Sequence, residues 1–377
     1  MKILTLCYEY PPLGGGAGRV AKSIAEGLAA RGHEVRFQTG GMPHLPKCER
    51  IGGVDVHRTN SFRKREEACS VFEMGLFVLT SFLPTLRHLR TWRPDVMHVH
   101  LAVPTGALAF AVHRVSGVPY VITAHLGDVP GALPEQTDHL FRRLGPFIRP
   151  IWEKAARISA VSEFVRQLAE RAYGREVTTI FNAVDLQNVP TDPVRVGQPL
   201  QFISVGRFNP QKNFVFLVKT LATVADLDWR LTIVGDGADM DAVRDAVARH
   251  GLEKRVSLPG WCAAGKVGTL LEDADIFLMP STVEGLSVAA IEALKHGLAL
   301  IGSDICGLQD VIDDGVNGLR FPVGDSARFA ASLRALLGDS PVVLRMKTAS
   351  RAKVRQFDLE KIAAQYEELL RAGSGKA

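Results

Sequence analysis

Arg207 and Lys212 stand five residues apart in Val205-Gly206-Arg207-Phe208-Asn209-Pro210-Gln211-Lys212-Asn213, where a β-branched run ends and a helical pattern begins. Two fixed cations beside a helix N-terminus form an anion site, able to neutralise a diphosphate both when bound and as it departs. Further along, Glu284-Gly285-Leu286-Ser287-Val288-Ala289-Ala290-Ile291-Glu292 follows another strand-like run. It sets one carboxylate in a loop and a second roughly two helical turns on. Gly285 lets the backbone approach a ligand closely, and the Leu286 and Ser287 N–H groups at the helix start would point at phosphate. Carboxylates at either end of such a site can accept hydrogen bonds from the hydroxyls of two sugars, a transferred sugar and a ribose. Taken singly, each stretch has a plainer reading, an ordinary basic loop and a pair of surface and helix glutamates. Their order and spacing within one βαβ domain point to a nucleotide.

In the N-terminal half, His125 closes a run at 118–124, and a histidine there could meet a reacting group or serve only as a loop residue. His98 and His100 fall on a predicted strand and read as core or cleft-lining side chains. Two D-x-D pairs, Asp239/Asp241 and Asp273/Asp275, match a metal pattern formally. The first starts a helix and the second precedes a strand, at the wrong end of the sheet for a ligand. No metal site is predicted.

These residues need a scaffold that delivers loops to one edge, and the periodicity of the chain supplies one. Short β-branched runs near 2–7, 34–39, 54–58, 95–99, 119–124, 157–161 and 176–180 alternate with amphipathic ones such as 19–31, 71–90 and Glu163–Tyr173. Strands alternating with helices at this spacing imply βαβ units and a parallel sheet. A polar stretch at 182–199, with Pro190, Pro193 and Pro199, reads as a linker. The alternation then restarts, with strands near 201–205, 229–234, 256–258, 276–279 and 299–301. The prediction is an α/β chain of two Rossmann-like, doubly wound parallel-sheet domains, residues 1–185 and 196–357, facing across a cleft. A final helix over 358–373 has Ile362, Ala363, Tyr366, Leu369 and Leu370 at helical spacing. Ligands of open parallel sheets bind beyond the carboxyl ends of the strands, where Arg207, Lys212, Glu284 and His125 fall.

Length and composition bound the rest. A chain of 377 residues is long for one core and suits two domains. The longest greasy stretch, 71–83, contains Glu73 and Gly75 and falls short of the ~20 apolar residues that span a bilayer. The opening residues read as a strand and not as a signal peptide. The five cysteines are scattered without a C-x-x-C pair, which argues against a disulfide framework or zinc site and fits a reducing compartment. Charge is uneven, net +6 over residues 1–190 and −1 beyond, with clusters at Arg63-Lys64-Arg65, Arg87/Arg90/Arg93 and Arg142-Arg143/Arg149. A basic half can attract anionic lipid or a phosphorylated acceptor, or can be a solvated face with no partner. A nucleic-acid partner is not expected, since no binding module or basic–aromatic interleaving is present.

As an ordered set the motifs resemble glycosyltransferase family 4, the retaining enzymes of GT-B architecture. The resemblance covers essentially the whole chain. Its carriers are Gly14-Gly15-Gly16-Ala17-Gly18, Arg31-Gly32-His33-Glu34-Val35, Arg93-Pro94-Asp95-Val96-Met97-His98-Val99-His100 and Thr123-Ala124-His125. They continue through Val161-Ser162-Glu163, Asn182-Ala183-Val184-Asp185, Val205-Gly206-Arg207 with Lys212, and Val234-Gly235-Asp236-Gly237. Glu284-Gly285-Leu286-Ser287 with Glu292, and Asp313, Gly315, Asn317 and Gly318, complete the set.

The resemblance implies that Arg207 and Lys212 grip the donor diphosphate and that Glu292 holds the ribose hydroxyls. Glu284 would contact the transferred sugar, with Gly285, Leu286 and Ser287 giving backbone donors. The loop at Gly15 and Gly16 would approach the phosphates, His125 would sit near the reacting sugar with Asp128 behind it, and the last helix would brace the first domain. The expected reaction is a retaining, metal-independent hexosyl transfer with no cofactor, from a UDP-sugar ahead of a GDP-sugar. The acceptor would be a glycan or a lipid-linked species in cell-surface polysaccharide or glycolipid synthesis. The expected place is the cytoplasm, with peripheral contact at the inner membrane face through the basic N-terminal domain.

Three rival readings share parts of this pattern. Gly16-Ala17-Gly18-Arg19-Val20-Ala21 spells a dinucleotide fingerprint, but Glu9 to Gly15 separates it from its strand and no acidic residue ends the second strand. A nucleotide-sugar 2-epimerase would share the architecture and the donor. A catalytically dead scaffold would not require the full set of Arg207, Lys212, Glu284, Glu292 and His125.

Overall fold

The computed structural model describes residues 1–66, 69–187, 189 and 194–375. They form two compact units: Met1–Asp185 together with the segment from Phe357, and Leu186–Gln356. Pro190 and Pro193 of the predicted linker lie outside the described residues.

In the first unit the elements run β1 (Lys2–Leu6), α1 (Gly16–Ala30), β2 (Glu34–Gly41), β3 (Cys48–Ile51), β4 (Val54–Asn60) and α2 (Val71–Thr91). They continue with β5 (Val96–His100), α3 (Ala107–Ser116), β6 (Tyr120–Ala124), α4 (Pro134–Glu153), β7 (Arg157–Ala160), α5 (Glu163–Tyr173) and β8 (Thr178–Thr179). The strand order is β3-β4-β2-β1-β5-β6-β7-β8. All pairs are parallel except β3 with β4, so the sheet is mixed at one edge where the sequence predicted only parallel strands. The inner strands β1, β5 and β6 are covered on both faces, and Ile3, Leu4, Val96, Val99, Val121 and Ile122 are fully buried. Such strands read as continuous apolar runs.

The second unit contains β9 (Leu200–Val205), α6 (Phe214–Ala222), β10 (Trp229–Val234), α7 (Met240–Arg249), β11 (Val256–Gly260), α8 (Ala264–Glu272) and β12 (Ile276–Met279). Then follow α9 (Val288–Lys295), β13 (Ala299–Ser303), α10 (Cys306–Gln309), β14 (Gly318–Phe321), α11 (Ser326–Leu337) and α12 (Ser340–Lys353). This sheet is parallel, in the order β11-β10-β9-β12-β13-β14. Its core is built around Phe202, Phe208, Leu217, Trp229, Ile233 and Leu278.

After Gln356 the chain returns to the first unit as α13 (Leu359–Ser374). Asp358 caps it, accepting the Glu360 N–H at 3.3 Å. Ile362, Ala363, Tyr366, Leu369 and Leu370 are all buried, the face predicted from their spacing. Packing against α1 is close: a Cβ on Gly27 would stand 3.0 Å from the Ala363 methyl.

Candidate active site

In the second unit β10 and β11 lie to one side of β9, and β12, β13 and β14 to the other. The winding therefore reverses between β9 and β12, and the loops leaving their carboxyl ends flank the crevice where such sheets bind ligands. Arg207 and Lys212 lie on the loop after β9. Glu284, Gly285, Leu286 and Ser287 lie on the loop after β12, with Glu292 on α9 beyond it. One switch point thus gathers both stretches singled out in the sequence.

The two loops are joined by specific bonds. Lys212 Nζ pairs with Glu284 Oε1 at 2.6 Å, and both side chains are mostly shielded from solvent. Gln211 Nε2 donates to the Val283 carbonyl at 2.8 Å, and the Thr282 N–H donates to the Gln211 carbonyl at 2.9 Å. Asn209 holds the turn, its carbonyl and side-chain oxygens accepting the Lys212 N–H at 3.0 and 3.1 Å. Asn213 takes a left-handed φ of 56° just before α6, a conformation that asparagine tolerates better than most side chains. Arg207 is exposed and makes no ion pair among the described residues. The site therefore offers one open cation and one already held by a carboxylate. Ser287 caps α9, its Oγ accepting the Ala290 N–H at 3.3 Å.

Glycines set how closely these loops approach. Gly235 and Gly237 have φ of 137° and 152°. A Cβ on Gly235 would fall 1.9 Å from the Gly206 carbonyl oxygen, and one on Gly237 2.4 Å from that of Phe208. Phe208 itself is buried edge-on against Phe214, with ring centroids 4.9 Å apart. Arg207 is thus held between an anchored ring and a glycine turn. Gly307, which sequence reasoning did not single out, lies so close that a Cβ there would meet the Glu284 carbonyl oxygen at 2.1 Å. No local pattern marks it, because the constraint comes from the loop after β12.

The first unit carries the remaining candidates. Its winding reverses between β1 and β5, and the loop after β1 holds Gly15 and Gly16. The Glu9 carboxylate, also missed from sequence, accepts the Gly15 N–H at 3.0 Å. Among the described residues nothing lies within 4 Å of where a Gly16 Cβ would be, which leaves the backbone there open to close approach. The Tyr8 N–H donates to Thr105 Oγ1 at 3.2 Å, tying this loop to the one after β5.

His125 follows β6 and is buried, with Nε2 3.3 Å from His100 Nδ1. His98 Nε2 lies 2.8 Å from Thr123 Oγ1, and that hydroxyl is 3.0 Å from Ser159 Oγ. His98 and His100 are fully buried core residues. Burial lowers His98 to about 3 and His125 to about 4, and places His100 well below the ordinary histidine value. All three are therefore neutral at pH 7, so between His100 and His125 one ring nitrogen donates and the other accepts.

Asp128 sits directly behind, its carboxylate accepting the His125 N–H at 2.8 Å. Burial raises its pKa to about 7, against the opposing effect of the N–H groups of His125, Val103 and Ala102. A raised folded-state value means that native protein holds a proton the unfolded chain has released. Its contribution is full below the unfolded value near 4 and is lost as pH rises to about 7. Asp128→Asn should remove this dependence. Relative to wild type it should gain about 2–3 kcal/mol between pH 5 and pH 8, read by denaturant unfolding at both pH values. A constant difference would contradict the assignment.

One carboxylate of each D-x-D pair is engaged elsewhere. Asp275 is buried at the amino end of β12, paired with Lys347 Nζ at 2.9 Å and accepting the Gly197 and Gln201 N–H groups. Asp241 is exposed beside Arg244. One predicted surface cation is misplaced: Arg63 is buried, with its guanidinium over the Tyr8 ring at 5.7 Å. Lys64 and Arg65 remain exposed.

Residues 14–188 match the family description Glycosyltransferase Family 4, and residues 190–353 match Glycosyl transferases group 1. Glycogen synthase of Mycobacterium tuberculosis is 29% identical, over 96% of this chain and 92% of its own. N-acetyl-alpha-D-glucosaminyl L-malate synthase of Bacillus anthracis is 27% identical, over 98% and 96%. Among solved structures, Anabaena HepE in complex with UDP-glucose superposes with a TM-score of 0.78 at 19% identity, covering 99% of this chain and all of that one. Two doubly wound units, with paired cation and carboxylate loops at a switch point, thus belong to a glycosyltransferase of GT-B architecture. The chain is a member of glycosyltransferase family 4.

Proposed function

We propose that this glycosyltransferase moves a hexosyl group from a UDP-sugar, with retention at the anomeric carbon, to a hydroxyl of a glycan or lipid-linked acceptor in polysaccharide or glycolipid synthesis. The observation that carries the reading is the Lys212–Glu284 pair at the switch point of the second unit. A donor diphosphate would draw Lys212 and Arg207 onto its oxygens, releasing Glu284 to accept a hydroxyl of the transferred sugar. Glu292 would take the ribose hydroxyls, and backbone at Gly285, Leu286 and Ser287 would serve the sugar and phosphate. The roles implied for Gly15, Gly16 and His125 belong to the same proposal. UDP is favoured because HepE, a protein of the same fold, binds UDP-glucose.

In the reaction the bond from the anomeric carbon to the diphosphate oxygen breaks while the acceptor oxygen bonds to that carbon on the same face. The acceptor proton passes to the departing diphosphate oxygen, and UDP leaves. Catalysis then rests on positioning and on stabilising the leaving group's charge, which Arg207 and Lys212 supply without a divalent cation. Proton NMR of the product made from a UDP-α-hexose tests this. An α-linked product, formed equally in EDTA, is expected, with no epimer when donor is incubated alone. A β-linked product, or loss of turnover in EDTA, would overturn the mechanism.

A further inference from the structure

We propose that His100 is a positioning residue for the transferase, setting the ring orientation and the tautomer of His125. The inference rests on the role proposed for His125 and adds the side chain that holds it. His100 ends β5 and His125 follows β6, and these neighbouring strands pair in parallel with His100 opposite Thr123. Alternate residues of a strand share a face, so His98 and His100 stand together on β5, with ring centroids 4.3 Å apart. His98 Nε2 lies 2.8 Å from Thr123 Oγ1, which is 3.0 Å from Ser159 Oγ. The Tyr366 ring of α13 packs on His98, with centroids 5.1 Å apart. His98 is thereby pinned, and it backs the His100 ring, whose Nδ1 lies 3.3 Å from His125 Nε2.

His98, His100, Thr123, Ser159 and Tyr366 are fully buried, whereas His125 is 7% exposed, so the row leads from the core to one accessible ring. Packing alone gives no reason for imidazoles here. His98 Nδ1 and His100 Nε2 are buried without a hydrogen-bonding partner among the described residues, and an aliphatic side chain would avoid that desolvation cost. Departures of this kind from the apolar rule concentrate at functional sites. His125 needs what the row supplies. Its backbone is fixed, since the Asp128 carboxylate accepts the His125 N–H at 2.8 Å. The outer torsion of a histidine side chain is broad, however, and a ring free about it could turn a nitrogen or a carbon edge toward a ligand. The contact with His100 removes that freedom. With both rings neutral at pH 7, a single proton lies between His100 Nδ1 and His125 Nε2. The bond made by one ring nitrogen fixes the state of the other, so the protonation of His125 Nδ1 is defined as well.

Long-range proton–nitrogen NMR of protein carrying isotope-labelled histidine tests the proposal, the His125 signals being those lost in His125→Gln. Wild type should show a single His125 tautomer, and His100→Leu should give signals averaged between the two. His100→Asn, whose amide falls where Nδ1 stood, should restore the single tautomer. His100→Gln, whose amide reaches the Nε2 position instead, should behave like leucine and keeps the comparison if the leucine variant does not fold. Release of UDP from UDP-glucose in water is read alongside. In His100→Leu kcat should fall about tenfold or more, since misplacement by about 1 Å can cost ~10²-fold, with KM unchanged and kcat recovered in His100→Asn. An unchanged His125 tautomer in His100→Leu and His100→Gln, or no recovery in His100→Asn, would overturn the proposal. The NMR comparison needs no donor, so it decides the point even if UDP-glucose is not turned over. Wild-type turnover in His125→Gln would overturn the reading beneath the proposal. Low turnover in His125→Gln with full turnover in His100→Leu would overturn the proposal alone.

Discussion

Lys212→Ala is expected to lower kcat by ~10²–10³-fold, the cost typical of removing one group that stabilises developing charge. It should also destabilise the second unit, because Glu284 is left shielded and uncompensated; breaking such a pair from one side costs about 3 kcal/mol. These losses have different origins and can be separated. In Lys212→Ala/Glu284→Gln no charge is stranded, so most of the lost stability should return while turnover stays low. A double variant as unstable as the single one would mean that Lys212 acts through packing. Near wild-type turnover in the single variant would remove it from the donor site.

The second large effect is expected at Gly235. A methyl group there meets the Gly206 carbonyl oxygen at 1.9 Å, on a backbone with φ of 137°. Side chains rarely adopt that conformation, and the obstacle is backbone that cannot swing aside. Gly235→Ala should therefore cost about 2–4 kcal/mol. Relief requires the turn at Gly206 to move, and Arg207 moves with it. UDP binding should weaken at least tenfold in whatever fraction remains folded. Calorimetric titration together with a melting curve checks both, and wild-type values in each would show that the close approach is not needed.

Much of this arrangement is visible in the sequence for an identifiable reason. Parallel strands buried on both faces write themselves as β-branched runs, so β1, β5, β6, β9 and β12 are legible, and with them the loops that carry Arg207, Lys212 and Glu284. The apolar spacing of α13 likewise shows which face is buried. What escapes is set by the folded surroundings and not by a local pattern. Strand β3 is a half-exposed edge without a burial pattern to read. Helix α4 contains Pro146 and Pro150, which by local rules argue for a break. Arg63 reads as part of a surface cluster, yet the Tyr8 ring turns it inward. Gly307 acquires its importance only from the Glu284 carbonyl packed on it. Glu9 gains its role only when the chain folds back to Gly15.

The central claim is that the second unit's switch point binds a nucleoside diphosphate without a metal. It is tested most directly by the melting temperature with UDP, GDP, ADP or NAD, each with and without EDTA. A ligand at ~100 times its Kd adds about 2.7 kcal/mol, enough for a clear shift. The account predicts that UDP raises the melting temperature equally in both conditions and that Lys212→Ala largely abolishes the rise. A rise with NAD alone, a rise lost in EDTA, or no rise with any nucleotide would contradict it.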